Sequence, residues 1–224
     1  MKFQAGDIAA CYGACAASRL IELGTASPLA PRRLRFGPSH VAMLCEHRDS
    51  LIWVESTALC RRACRIQKRI VRGTQAHDPL DRIHDYTSGA GHVDIYRLSP
   101  IHALTRDESR LLEKVLIRHF VRIGIDYDLG GALLSGTRLF RWSRLFPGAD
   151  LQSLFCSELV AATLMRLGRM NHENPTRYNP ARLLRELVTR GTYQWEAAFG
   201  STTDDRKQQT RMTKDARSLK HQGL

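Results

Sequence analysis

Two kinds of apolar pattern divide the chain. Short runs rich in β-branched and aromatic residues read as strands. HVAMLCE (40–46) and LIWVES (51–56) flank the polar tetrapeptide HRDS, which predicts a β-hairpin. HVDIYRL (92–98) predicts a third strand and TYQWEAAF (192–199) a last one. Residues 2–12 begin with a turn at Gly6 and Asp7 and lead into a strand or short helix. Longer runs carry apolar residues at helical spacing. Ala14, Ala17, Leu20 and Ile21 predict a helix over 14–23, with Gly24 as its C-cap. A second helix opens at Asp107 on the apolar stripe Leu111, Leu112, Val115, Leu116 and Phe120 and ends at Gly124. Thr105 and Glu108 have the spacing of a capping box for it. Residues 155–166 and 180–190 predict two more helices, the latter with Asn179 as N-cap and Pro180 at its first position. TASPLAPRRLRFGPS (25–39) is a proline-rich loop. Residues 57–91 are weakly patterned, with a strand expected near 66–71 and then a loop.

These elements imply an α+β domain, a small antiparallel sheet or half-barrel packed on helices. A length of 224 residues suits one well-filled domain. From Ser201 onward large apolar residues nearly vanish, so the expected organisation is a domain over 1–200 and a basic disordered tail over 201–224. No apolar run approaches the roughly 20 residues that span a bilayer. The first residues lack the apolar segment of a signal peptide. A cytoplasmic location is therefore expected, with the six cysteines reduced.

The net charge of +12 is unevenly spread. Arg61, Arg62, Arg65, Lys68, Arg69 and Arg72 form one cluster, and Arg32, Arg33 and Arg35 another. Arg138, Arg141 and Arg144 interleave with Leu139, Phe140, Trp142 and Leu145. Such clusters suit an anionic surface, lipid or nucleic acid, and equally suit a solvated face. Cys11/Cys15 and Cys60/Cys64 have C-x3-C spacing, but neither pair is followed by the matched second half of a zinc site. No metal and no other cofactor is expected.

The chemistry centres on Cys156 in LFCSELVAATL (154–164). A thiol is mostly protonated at neutral pH and needs activation. The pattern puts Cys156 just before or in the first turn of a helix, where free backbone N–H groups and the helix dipole favour a thiolate. A neighbouring imidazole does more, holding the ion pair and protonating the leaving group. His40, at a strand start after a Gly-Pro loop, is the best-placed of the nine histidines. If Glu46 opposes Leu51 across the hairpin, Ala42 opposes Glu55, and His40 shares a face with Glu55 as its diagonal neighbour. A carboxylate there would fix the imidazole tautomer, as the acid of a Ser-His-Asp triad does. The pairing of Glu46 with Leu51 follows if HRDS is a four-residue loop; a two-residue loop keeps the same parity, and a three-residue loop would break it. Taken singly, Cys156 suits a buried core thiol, His40 a strand-end histidine bonded to a carbonyl, and Glu55 a surface carboxylate.

The order of motifs resembles a known family. GDI (6–8), SHV (39–41), VES (54–56), VDIYRL (93–98), G-x-x-YD (124–128), FCSELV (155–160) and NPARLL (179–184) look like the circularly permuted branch of the NlpC-type, papain-like hydrolases, which is similar to the lecithin retinol acyltransferase-like proteins. The histidine strand precedes the cysteine helix, the reverse of the unpermuted order. The resemblance spans about residues 5–190. It implies Cys156 as nucleophile, His40 as general base and acid, and Glu55 as the residue orienting the histidine. It implies attack on an amide, peptide or acyl-ester carbonyl through a thioester, with acyl transfer as the alternative. Tyr127, Asp128, Ser39 and Ser157 are expected to line the substrate site. Tyr127 and Asp128 alone suit a turn tyrosine and a capping aspartate. Residues 131–153 are longer and more basic-aromatic than the family's usual connection. Two other readings are a non-catalytic module that holds nucleic acid or membrane on its basic clusters and, ranked last, a zinc or redox protein using the C-x3-C pairs Cys11, Cys15, Cys60 and Cys64.

Overall fold

A computed structural model describes residues 2–57, 59–122 and 152–200. Six strands form one open antiparallel sheet: β1 (Ile8–Tyr12), β2 (His40–His47), β3 (Ser50–Thr57), β4 (Gly73–His77), β5 (His92–Leu98) and β6 (Tyr193–Phe199). Their spatial order is β4-β3-β2-β1-β5-β6. The described helices are α1 (Ala16–Gly24), α2 (Pro79–Ser88), α3 (Arg106–Glu113), α4 (Gln152–Arg166) and α5 (Pro180–Thr189). A π-helical segment, Lys114–Arg122, continues α3. The fold is mixed α+β, as the sequence implies. The expected tail, Gly124, Tyr127, Asp128 and the Arg138–Arg144 cluster lie outside the described residues.

The sheet divides the core into two layers. On one face Ala10, Val41, Met43 and Val54 pack against Leu112 and Leu116 of α3 and its continuation, Leu159 and Val160 of α4, and Leu184 of α5. On the other, Ala9, Ala42, Leu44, Trp53 and Ile95 pack against Ile83 of α2. Alternation along each strand assigns side chains to the two layers. His40 lies on the α2 face because it shares the parity of Ala42 and Leu44.

The β2–β3 hairpin fixes the geometry that matters. Glu46 pairs with Leu51 and His47 with Ser50, so the turn is only Arg48 and Asp49. Both have positive φ, 49° and 62°. That is the signature of the tight turn whose twist matches paired strands. It normally favours Asn-Gly, so HRDS reads as a four-residue loop where the structure closes it in two. Parity is as expected, and Glu55 shares the face of His40.

Three expectations need correction. Residues 66–71 are a turn rather than a strand, with β4 displaced to 73–77. Arg65 N–H donates to Ala76 O and Cys64 Sγ accepts from Ala76 N, which pins this turn back on β4. The loop expected afterwards contains α2, capped by Asp78 with Pro79 following. Gly24 is the last residue of α1, and Thr25 caps it instead, its hydroxyl donating to Ile21 O at 2.8 Å. The capping box at Thr105 and Glu108 and the Asn179 N-cap form as expected.

Candidate functional site

His40, Glu55 and Cys156 come together at the start of β2. His40 Nε2 lies 2.8 Å from Glu55 Oε2. The Cys156 side chain hydrogen-bonds the same imidazole and couples to its charge. With Nε2 taken by Glu55, Nδ1 is the ring nitrogen left to serve the thiol. Cys156 belongs to the core layer on the far face and meets His40 at the strand end. His40 is 7% exposed, and Glu55 and Cys156 are fully buried.

Electrostatics hold this group in a defined state. Burial of His40 disfavours its cation, but Cys156 and then Glu55 outweigh it and push the imidazole pKa up to about 10. Burial pushes Glu55 up, yet the Arg82 guanidinium and His40 hold its carboxyl well below the ordinary carboxylate range. Arg82 Nε donates to Glu55 Oε1 at 2.6 Å, so each carboxylate oxygen has its own partner. Sequence reasoning missed Arg82, because it placed residues 78–88 in a loop. The available signal was Asp78-Pro79, an N-cap followed by proline, with Arg82 and Tyr86 one turn apart on the helix that follows. Tyr86 lies nearly parallel to the His40 ring, 6.4 Å between centroids.

Cys156 does not begin its helix. α4 starts at Gln152, so Cys156 is about one turn in. The dipole effect fades within the first turn, which leaves the imidazole as the stronger activating influence. The two serines take structural roles in the contacts observed. Ser39 Oγ donates to Cys11 O and accepts from Gly13 N, tying the start of β2 to β1. Ser157 Oγ donates to Tyr178 O at 2.6 Å, tying α4 to the segment before α5. Tyr127 and Asp128 lie outside the described residues. Asp7 of the GDI motif accepts both Nε and a terminal nitrogen of Arg97 at 3.0 Å, bridging β1 to β5.

The four C-x3-C cysteines do not form one site among the described residues. Cys15 caps α1 through Ser18, and Cys64 braces the turn before β4. Cys11 lies opposite His40, and burial pushes its thiol well up. Among the described residues Glu55, Cys60 and His77 do place one ligand-type atom each within 4.8 Å of one another. Their bonding is already committed. Glu55 serves His40 and Arg82, and His77 Nε2 bonds Gln75 Oε1 at 2.8 Å. An added cation would also face the buried Arg82 charge, so this donor set fits a metal poorly.

A cavity of about 700 Å³ lies at the other end of the hairpin. Arg48, Arg65, Lys68 and Arg122 line it over Ile52 and Ile66. The seven-residue rise from His40 to His47 puts it roughly 20 Å from the thiol.

No family model and no curated protein matches the chain. Among solved structures, it is similar to the crystal structure of the metalloprotein yiiX from Escherichia coli O157:H7, DUF1105, at 17% identity and a TM-score of 0.47 over 90% of this chain and 100% of that one. Among the described residues no helix is long and apolar enough to cross a membrane.

Proposed function

We propose that the chain is a cysteine hydrolase of amide, peptide or acyl-ester bonds, with a circularly permuted papain-like fold and a Cys156–His40–Glu55 triad. The observation that carries this reading is the imidazole held between Glu55 and the Cys156 thiol. His40 already holds the thiol proton as an imidazolium, and the Cys156 thiolate attacks the carbonyl carbon. The free backbone N–H groups of the first turn of α4, ahead of Cys156, are the candidate donors to the oxyanion. His40 then protonates the departing amine or alkoxide, and the carbon–heteroatom bond breaks to leave a thioester. Water, deprotonated by His40, attacks the thioester, and the Cys156 thiolate leaves with the acid released. Another acceptor in place of water makes the same enzyme an acyltransferase. Cys156 is fully covered, so substrate entry requires the atoms over it to move.

Limiting iodoacetamide at pH 6, read by peptide mass spectrometry, tests the reading without a known substrate. Cys156 should be labelled ahead of the other buried cysteines, Cys11, Cys45, Cys60 and Cys64, with exposed Cys15 marking the rate of an accessible thiol. Equal labelling of Cys156 and buried Cys45 in the folded chain would sink it.

The basic cavity favours a second reading, a module that binds an anionic surface. It predicts an affinity for nucleic acid or anionic vesicles that falls steeply with salt and survives Cys156→Ala. Substitution of Arg48 and Lys68 should then abolish it.

A further inference from the structure

The hairpin supplies the base and the acid, but α2 braces them both. Arg82 is 6% exposed. Its Nε donates to Glu55 Oε1 at 2.6 Å and its Nη1 to Asp85 Oδ2 at 2.8 Å. Asp85 in turn takes two bonds at 2.7 Å from Arg62. One turn on from Arg82, Tyr86 backs the His40 ring, with the Arg82 guanidinium 5.3 Å from its centroid. The buried carboxylate thus sits between two cationic groups, and the helix that brings the second one is anchored outward through a carboxylate to a half-exposed arginine.

Resting on the hydrolase reading, we propose that Arg82 is a positioning residue for the triad: it keeps Glu55 ionised and aimed at His40 Nε2, and so keeps the imidazole competent toward Cys156. A buried carboxylate facing a lone histidine has two nearly neutral states, because the proton can sit on either partner. In the neutral state the imidazole has lost its counter-charge. Arg82 removes that ambiguity, since an arginine stays charged in proteins. Its second bond, to Asp85, fixes the guanidinium so that it does not rotate away from Glu55. The arrangement needs the planar fork of arginine, because a lysine supplies charge at one point and cannot bridge two carboxylates in the same way.

Loss of Arg82 therefore acts through Glu55. Burial then pushes the Glu55 carboxyl up unopposed by the guanidinium, and the His40 imidazolium loses its partner. The acid limb of Cys156 reactivity moves to higher pH. In Arg82→Gln, Cys156 alkylation at pH 6 should fall at least tenfold and recover as the pH is raised by one to two units. Arg82→Lys should restore part of it. In a Glu55→Gln background, Arg82→Gln should have little further effect, since both act on the same bond.

The experiment is the rate of Cys156 alkylation by iodoacetamide from pH 5 to 9 in the full chain. It compares wild type, Arg82→Gln, Arg82→Lys, Glu55→Gln and the Arg82→Gln/Glu55→Gln double variant, each with its melting temperature. Nitrogen chemical shifts of the His40 ring are recorded on the same samples. A merely structural Arg82 would lower the melting temperature and leave the pH midpoint and the His40 shifts unmoved, which overturns the proposal. Additive losses in the double variant overturn it as well. If Arg82→Gln does not fold, Arg82→Lys carries the test through the same midpoint and shifts. If wild-type Cys156 is unreactive while the His40 shifts still move in the Arg82 variants, the hydrolase reading fails and the positioning of His40 by Arg82 stands.

Discussion

Strand β2 begins and ends with a histidine paired to a glutamate, and the two pairs differ in the ring nitrogen used, Nε2 in His40 and Nδ1 in His47, and above all in what surrounds them. His40 lies 2.8 Å from Glu55 at one end, and His47 lies 2.7 Å from Glu113 at the other. The two bonds are of similar length. Glu55 is fully buried, however, while the Glu113 side chain is 29% exposed. Around the first pair stand a thiol, a buried guanidinium and an aromatic ring. Beside the second is an open basic cavity. A histidine–carboxylate pair becomes chemically interesting when it is dry and when a third group can use the proton it holds.

The sharpest way to break this comparison is to remove each histidine in turn. His40→Ala should slow alkylation of Cys156 at pH 6 by about 100-fold or more, the usual range for a lost base. His47→Ala should leave it within about twofold. Equal effects would mean that the two ends are not chemically distinct. Next come the glutamates. Glu55→Gln leaves buried Arg82 only the partly exposed Asp85 as counter-charge and should cost about 3 kcal/mol in denaturant unfolding. Glu113→Gln loses a partly solvated contact and should cost about 1 kcal/mol or less.

The acid response sharpens the comparison further. Glu55 in the folded chain titrates well below its ordinary 4.5. The folded state therefore binds fewer protons than the unfolded state as the pH falls through that range. The stability from Glu55 is present above pH 4.5 and is lost on acidification toward its folded value. The gap between wild type and Glu55→Gln should narrow as unfolding is measured from pH 6 down to pH 3. A gap that stays constant would show Glu55 to be neutral in the fold. The smallest effect lies in the turn. Asp49→Gly relieves a left-handed conformation at φ 62° and should raise stability by up to about 1 kcal/mol, with Cys156 reactivity unchanged.

The hairpin, the capping box and the face shared by His40 and Glu55 were legible because each is local. Alternation and cap spacing act within a few residues. Arg82 was not legible because its value to the site is long-range. Its helix carries only three buried residues, Pro79, Arg82 and Ile83, so no apolar stripe announced it. The start of α4 was misplaced for a similar reason. Phe155 and Cys156 look like a boundary, but the helix extends four residues ahead of Cys156. The turn at 66–71 has apolar residues at Ile66, Ile70 and Val71 that suggest a strand, yet Lys68 has φ 58°, which no regular strand permits.

The two-residue turn at Arg48 and Asp49 also sets a rule for how this molecule can change length. Strand side chains repeat every second residue, so the hairpin has something like a reading frame. One extra residue in the turn, far from the thiol, must be taken up as a bulge, or it rotates Glu55 to the opposite layer. Two extra residues would leave His40 and Glu55 facing each other. Length variants at this turn should therefore be tolerated in pairs, and a small insertion series scored by Cys156 labelling would show alternation between silent and reactive chains.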